Sequence, residues 1–331
     1  MGIQNGKKYM EAITYTGNGG TQSIGGLDFS PDLVWIKSRN NSYDHHLIDT
    51  VRGNESSLSS NLTYAEQFTY SGVMSFDPDG FTLGTNGEYN EATSTFVAWC
   101  WDAGNETVTN NEGTIESQVR SNGNFSVVKY SPTASGSQSF GHGLDNPANF
   151  VIVKPLDRSA NWSVGSSALP DWSYAPNLDL TNSIVGGDQL WDQQAPDSSV
   201  VYIGAANSLY TGEDYIAYCW SEVPGYSKFG SYTSSLSNSF VYLGFKPAFL
   251  MLKRTDAAGN WFILDSTRST NNPRNNGLEP NNSGAEYTAG QVSVDFHSNG
   301  FKIVGSDLNT GSFIYAAFAD ESFIPEPQST E

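Results

Sequence analysis

Apolar and polar residues alternate with a period of two along most of the chain, in short segments rich in β-branched and aromatic residues. Gly, Pro, Asn and Asp bound these segments, which is the pattern of β-strands separated by turns. Asp79-Gly80 and Asn299-Gly300 stand between alternating apolar residues, and such dipeptides favour tight hairpin turns. Helical periodicity is weak throughout. The pattern therefore predicts an all-β protein built from antiparallel hairpins.

The same series of segments occurs three times along the chain. Each copy opens on a strand with a tyrosine (Tyr15, Tyr130 or Tyr232) and continues through a proline to an apolar segment that ends in lysine. Each closes on an aromatic-rich strand at residues 96–101, 215–220 or 313–318. A unit of about 100 residues is long enough for one antiparallel β-sandwich.

The repeats divide the chain into five predicted parts. We expect three tandem antiparallel β-sandwiches of jelly-roll or lectin-like character. The predicted parts are an N-terminal arm at 1–11, sandwiches at 12–107, 108–224 and 225–324, and a C-terminal tail at 325–331.

Charge and hydropathy exclude two classes of partner. The 331 residues include 16 Lys+Arg and 35 Asp+Glu, which gives a net charge of −19. An acidic balance argues against nucleic acid, because phosphate binding requires clustered Lys and Arg. There is no apolar run of the roughly 20 residues that a membrane-spanning helix needs, and the N-terminus lacks the apolar segment of a secretory signal. We expect no membrane insertion and no signal peptide.

The sequence offers few residues for catalysis or metal binding. No phosphate-binding loop, nucleophile elbow or HExxH motif is present, and the four histidines have no metal-ligand spacing. His45 and His46, close to Asp44 and Asp49, are predicted to be a polar loop pair rather than a metal or acid–base cluster. We therefore predict no catalytic residue, no metal and no cofactor.

Two residue types recur at matching places in the copies. Cys100 and Cys219 lie beside tryptophan in closing strands of separate copies, which predicts two buried free thiols. Arg52 follows Asp49, and Arg268 follows Asp265 at the same spacing. Repetition of this pair predicts a structural Arg–Asp interaction rather than a site.

Tryptophans provide the candidates for recognition. Those in the repeated strands are expected to lie in the core. Trp162, Trp172 and Trp191 lie in the irregular middle of the second copy, outside the shared strands. We predict that these three are exposed and contact a glycan or a protein partner.

Several segments resemble, in order, a repeated module of virion structural proteins from tailed phages, especially marine ones. The resemblance covers about residues 12–324 and implies a phage particle component with no established catalytic residues. The segments that carry it are 15–19, 31–37, 49–53 and 97–101 in the first copy, 141–144, 215–219 and 225–232 in the second, and 253–256, 261–265 and 296–302 in the third.

The resemblance implies a function outside catalysis. We expect a virion protein, made in the host cytoplasm, that acts as a tail-fibre or receptor-binding-like appendage and adheres to the host surface. Its partners would be other virion proteins and a host-surface glycan or protein, and by analogy we expect a homo-oligomer. A capsid decoration or knob protein that binds other head proteins is the alternative, because only a short segment precedes the first copy. A glycan-degrading enzyme is less favoured, because no carboxylate pair stands out.

Overall fold

The computed structural model describes residues 5–184, 186–187, 190–204, 210–234, 239–288, 290 and 292–319. Nearly all of the regular structure in these residues is β-strand. The exceptions are one α-helix, α1 (Gly87–Asn90), and two 3-10 turns (Gly6–Lys8 and Ser306–Leu308).

The strands are numbered in chain order and form three groups. The first group is β1 (Met10–Thr16), β2 (Gln22–Gly25), β3 (Leu33–Ser38), β4 (His46–Asp49), β5 (Ser56–Ser57), β6 (Gln67–Phe68), β7 (Val73–Asp77), β8 (Gly80–Leu83) and β9 (Thr95–Trp101). The second is β10 (Thr107–Asn110), β11 (Ser117–Ser121), β12 (Phe125–Tyr130), β13 (Gln138–Gly141), β14 (Phe150–Pro155), β15 (Ser163–Ser166), β16 (Val200–Ile203) and β17 (Tyr215–Trp220). The third is β18 (Ser227–Ser234), β19 (Phe240–Tyr242), β20 (Phe249–Arg254), β21 (Trp261–Asp265), β22 (Asn276–Gly277), β23 (Tyr287–Thr288), β24 (Val294–His297), β25 (Gly300–Ile303) and β26 (Gly311–Phe318).

Three large sheets dominate the fold, and every pairing between their strands is antiparallel. The first sheet has the order β1-β9-β3-β4, and the third sheet has the order β18-β26-β20-β21. The second sheet contains the corresponding order β12-β17-β14-β15 and adds β10 and β11 at one edge. The predicted all-β antiparallel class is therefore confirmed.

One face of each large sheet packs against strands of a smaller sheet. The smaller sheets are β2-β8-β7, β13-β16 and β19-β25-β24. In the first group, Val34 and Ile36 of β3 share an apolar cluster with Phe81 and Leu83 of β8. Separate clusters of the same kind lie in the second and third groups. Each group therefore has two layers with apolar side chains between them.

The other faces of the three large sheets meet in one shared cluster, here called the central core. It contains Trp99, Tyr218 and Met251, each from a different sheet. Alternation explains this, because successive side chains of a strand point to opposite faces. The sequence predicts sandwiches in series, whereas in the structure the three sheets are joined by a single core.

Three aromatic rings from equivalent places meet in the central core. Trp101, Trp220 and Phe318 lie at the same register position of β9, β17 and β26, opposite Leu33, Phe150 and Phe249. The ring centroids are 5.9 Å apart for Trp101–Trp220, 6.0 Å for Trp101–Phe318 and 6.5 Å for Trp220–Phe318. We call these three rings the aromatic triangle.

The two cysteines lie outside the central core. Both are buried and unpaired, with Cys100 in the apolar cluster of the first group and Cys219 in that of the second. Burial raises the pKa of Cys219 to about 12, and burial also raises the pKa of Cys100. The prediction of two buried free thiols is confirmed.

Three buried lysines occupy matching places near the ends of β3, β14 and β20. Lys154 donates to the Thr63 carbonyl oxygen at 3.1 Å, and Lys253 donates to that of Thr181 at 3.1 Å. Each contact joins neighbouring groups of strands. The ammonium of Lys37 donates instead within its own group, to the carbonyl oxygen of Ser38. Burial lowers the pKa of Lys37, Lys154 and Lys253 to about 8.

We expect the three lysines to contribute a stability that rises between pH 8 and about pH 9.5, while the two buried thiols contribute one that falls. The lysines regain their ordinary pKa of about 10.4 on unfolding, so in this window these three groups bind more protons in the unfolded chain than in the folded one, and their contribution to stability increases with pH. Urea unfolding at several pH values measures the slope. The free energy of unfolding of a Lys253→Met variant should increase less, or decrease more, with pH than that of the wild type, and equal slopes for the two proteins would contradict the prediction.

Candidate functional site

A cleft of about 440 Å³ opens beside β5 and β6 in the first group of strands. We call it the aromatic cleft. Most of its lining comes from the segment that runs from β5 to just beyond β6, and the rest comes from residues in or just before β4 and α1. The lining residues are Asp44, His46, Ser57, Ser59, Leu62, Tyr64, Ala65, Gln67, Phe68, Thr69, Tyr70, Ser71, Asn86 and Glu88.

Three large aromatic side chains around this cleft are exposed to solvent. The exposed fraction is 54% for Tyr64, 68% for Phe68 and 74% for Tyr70. Single exposed apolar residues are ordinary, whereas several grouped at one cleft mark an interaction site. The aromatic cleft is therefore the candidate functional site.

The backbone that carries these rings is held at several points. Phe68 pairs with Ser56 across β5 and β6, and the Thr69 amide donates to the Glu55 carbonyl oxygen at 2.7 Å. The Glu66 amide donates to the Leu156 carbonyl oxygen of the second group at 2.8 Å. Ligand-binding side chains on a fixed backbone lose less entropy when a ligand binds.

A histidine and a carboxylate line the cleft beside α1. The His46 ring stacks on Tyr89 with centroids 4.3 Å apart, and its Nε2 atom lies 3.1 Å from Glu88 Oε2. The hydrogen bond from His46 lowers the pKa of Glu88. The Tyr89 hydroxyl donates to Ser57 Oγ at 2.8 Å, which fixes the ring on which His46 stacks.

The prediction that His45 and His46 form a polar loop pair is wrong. Both side chains are buried, and His46 begins β4. His45 Nδ1 accepts a hydrogen bond from Trp35 Nε1 at 3.0 Å, and its ring stacks on Trp99 beside the central core. Burial lowers the pKa of His45 well below its usual value. The described part of the chain contains no group of three side chains that could hold a metal ion.

The third group of strands contains a pocket beside the equivalent of His46, and no exposed aromatic ring lines it. It has a volume of about 350 Å³, and its lining includes Phe262 and Asp307. Phe262 is the register equivalent of His46.

The positions of the three rings carry small residues in the third group. Thr288 pairs with Asn276 as Phe68 pairs with Ser56. By the same register, Gly284 stands at the position of Tyr64 and Gly290 at that of Tyr70. The shared fold therefore does not require the exposed rings of the first group.

The three tryptophans that were predicted from the sequence to be exposed recognition residues are buried. The exposed fraction is 0% for Trp162, 7% for Trp172 and 0% for Trp191. Trp162 precedes β15 as His45 precedes β4, and its Nε1 atom donates to the Ser59 carbonyl oxygen at 2.9 Å. The prediction that the three tryptophans are exposed is wrong. At Trp162 the reason is that a loop of the first group lies against the ring.

Trp172 and Trp191 are buried for a different reason. Their rings pack edge to face with centroids 5.7 Å apart, within the apolar cluster of the second group. Gly165 of β15 lies directly against both rings, and a Cβ atom at that position would approach the Trp172 ring to 2.5 Å. These two side chains complete a layer of the core.

The fold and the cleft define an all-β protein with an aromatic-lined surface site. The chain belongs to the family described as "Domain of unknown function (DUF7483)", and the match covers residues 5–322. No curated protein and no solved structure matches the chain. Among the described residues, none of the helices has the length and apolar character needed to cross a membrane.

Proposed function

We propose that the protein is a non-catalytic adhesion protein whose aromatic cleft binds a glycan of the host surface. The three exposed rings of Tyr64, Phe68 and Tyr70 around one cleft carry this proposal. A sugar ring has apolar C–H faces that stack on aromatic rings, and hydroxyl groups at its edge that need hydrogen-bond partners. Aromatic side chains with a few placed polar groups are the composition of such sites.

The polar lining suits the hydroxyl groups of a saccharide. Gln67 and Asn86 each carry amide donors and an acceptor, and Ser59, Thr69 and Ser71 carry hydroxyl groups that both donate and accept. The volume of about 440 Å³ lies within the roughly 300–1,000 Å³ range of small-molecule sites. A short oligosaccharide is therefore a suitable ligand.

We propose a phage particle as the setting, with the protein in a tail-fibre or receptor-binding-like appendage. The ordered resemblance across about residues 12–324 supports this setting. Copies in a homo-oligomer would bind several glycans at once, which converts weak single contacts into strong adhesion. The net charge of −19 would keep crowded copies soluble.

We also propose that the chain consists of three copies of one β-sandwich unit, near residues 12–107, 108–224 and 225–324. The matching strand orders of the three large sheets support this division. The aromatic triangle and the three buried lysines at matching places support it as well. In this arrangement the first unit carries the binding site, and the shared core fixes its position relative to the other two.

A triple variant in which Tyr64, Phe68 and Tyr70 are all replaced by Ala is expected to bind glycan roughly 100-fold more weakly, because each stacked ring contributes about 1 kcal/mol. The melting temperature should change little, since the rings are exposed. Binding to an array of bacterial surface oligosaccharides, followed by calorimetry on the best ligand, measures the effect.

The matched control is the double variant Phe240→Ala/Tyr242→Ala. These aromatic residues of β19 are also exposed, at 47% and 62%, and lie outside the aromatic cleft. The control should bind the oligosaccharide as the wild type does. A wild type that binds no glycan on the array, or a triple variant that binds normally, would overturn the proposal.

The same two residues favour a second candidate function, capsid decoration. Phe240 and Tyr242 point outward from β19, which is the edge strand of its sheet, and exposed aromatic edge strands are suited to contacts with other proteins. A decoration protein should lose incorporation into phage heads in the Phe240→Ala/Tyr242→Ala variant. Immunolabelling of purified particles locates the protein on the head or the tail.

A further inference from the structure

The charged groups that face the aromatic cleft are nearly all of one sign. Asp44 and Glu88 contribute carboxylates, His46 contributes an imidazole, and neither Lys nor Arg is among the lining residues. The Glu88 side chain is 47% exposed, so a ligand stacked on the rings has access to it. The site therefore offers negative charge to whatever it binds.

The cations that contact the loop of the cleft are turned away from it. The Arg52 side chain is only 1% exposed, and its guanidinium bonds to Asp49 and Glu66. The ammonium of Lys154 is held by the carbonyl oxygens of Thr63 and Pro155, and the residue is fully buried. Neither cation is available to neutralise an acidic ligand in the cleft.

We infer that the aromatic cleft discriminates between glycans by charge, and that it binds neutral or amine-bearing saccharides in preference to acidic ones. The inference rests on the proposed function. A sugar carboxylate or sulfate in the cleft would lie close to the like charges of Asp44 and Glu88, and this repulsion is unfavourable even in a cleft that is open to solvent. A sugar ammonium would gain from the carboxylates and from the faces of Tyr64 and Tyr70.

The experiment measures the affinity of the intact chain for three oligosaccharides of the same length, at low and at moderate salt concentration. The probes are oligomers of N-acetylglucosamine, glucosamine and galacturonic acid, together with the neutral, amine-bearing and acidic members of the surface-glycan array. Acidic ligands should bind at least about tenfold more weakly than neutral ones at low salt. The difference should shrink as salt is added, because the cleft is open to solvent.

The variant Glu88→Gln tests the origin of the discrimination. It removes one charge and keeps a hydrogen-bonding side chain of the same shape, so the disadvantage of acidic ligands should fall by about threefold. The control is Asp307→Asn, which makes the same change of charge in the pocket of the third group, outside the aromatic cleft, and should leave the discrimination unchanged.

The outcomes separate the inference from the proposed function. Acidic glycans that bind as tightly as neutral ones would overturn the inference and leave glycan binding in place. A ratio that Glu88→Gln does not alter would also overturn it. The absence of any glycan binding by the wild type would overturn the proposed function, and the inference with it.

Discussion

Replacing Arg268 with Met is expected to lower the free energy of unfolding by about 3–5 kcal/mol. The Arg268 side chain is fully buried, and its Nε atom lies 2.6 Å from Asp265 Oδ2. Its Nη1 atom lies 3.0 Å from Glu286 Oε2. Removal of the guanidinium would leave the Asp265 carboxylate buried and without its counter-charge. Urea unfolding at pH 7, followed by tryptophan fluorescence, measures the loss.

Two further variants make this prediction specific. Arg254→Met removes an ion pair with Asp256 that is partly exposed, and it should cost less than about 1 kcal/mol. The double variant Asp265→Ser/Arg268→Leu removes both charges, and we expect it to be more stable than Arg268→Met. A loss below about 1 kcal/mol for Arg268→Met would contradict the argument.

The choice of Ser and Leu for the double variant comes from the chain itself. Ser166 has the register position of Asp265, and Leu169 follows it at the spacing at which Arg268 follows Asp265. The second group of strands therefore forms the same corner without charges. Uncharged residues that fill the site are often as stable as a buried ion pair, whereas a single buried charge is not.

The Arg–Asp pairs show which contacts can be predicted from repetition in the sequence and which cannot. Both predicted pairs are confirmed, at 2.6 Å for Arg52–Asp49 and 2.6 Å for Arg268–Asp265. The sequence does not indicate the aromatic side chains that donate hydrogen bonds to the two aspartates, and these come from neighbouring sheets. The Tyr218 hydroxyl donates to Asp49 Oδ2 at 2.9 Å. In the same way, Trp99 Nε1 of the first sheet donates to Asp265 Oδ2 at 3.0 Å. Such contacts depend on how the three large sheets are placed around the central core.

The strands themselves were predictable, because alternation and turn residues are local signals. The shared core was not. All six residues of β3, from Leu33 to Ser38, are buried, and a strand buried on both faces gives no sign of which neighbour covers each face. A sheet that belongs to an isolated domain and a sheet that contributes one face to a common core therefore have similar sequences.

The candidate site was missed for a related reason. Whether an aromatic side chain is buried depends on the segment that packs over it, and Trp162 is covered by a loop about 100 residues earlier in the chain. One signal was available in the sequence. Ala65-Glu66 corresponds to Ala285-Glu286, and the aromatic residues around the first pair are replaced by Gly and Thr around the second. Large residues that only one copy keeps are candidates for function.

Replacing Trp101 with Ala is expected to lower the free energy of unfolding by about 3–5 kcal/mol, through loss of burial and through the cavity that remains. The ring contacts Trp220 and Phe318 in the aromatic triangle, and it also lies edge to face with Phe249 at 5.7 Å. It therefore stabilises all three sheets at once. Because the three sheets share this core, the weakened protein should still unfold in a single transition.

The two buried cysteines provide probes for that claim. Cys100 reports on the first group and Cys219 on the second, so in the Trp101→Ala variant both thiols should become reactive over the same range of denaturant concentration. The control is Trp101→Phe, which gives this position of the aromatic triangle the same residue type as Phe318 in the third sheet. It should lower the free energy of unfolding by less than about half as much as Trp101→Ala. If Cys100 reacts at a lower denaturant concentration than Cys219, the first group unfolds by itself, and the central core does not couple the three sheets.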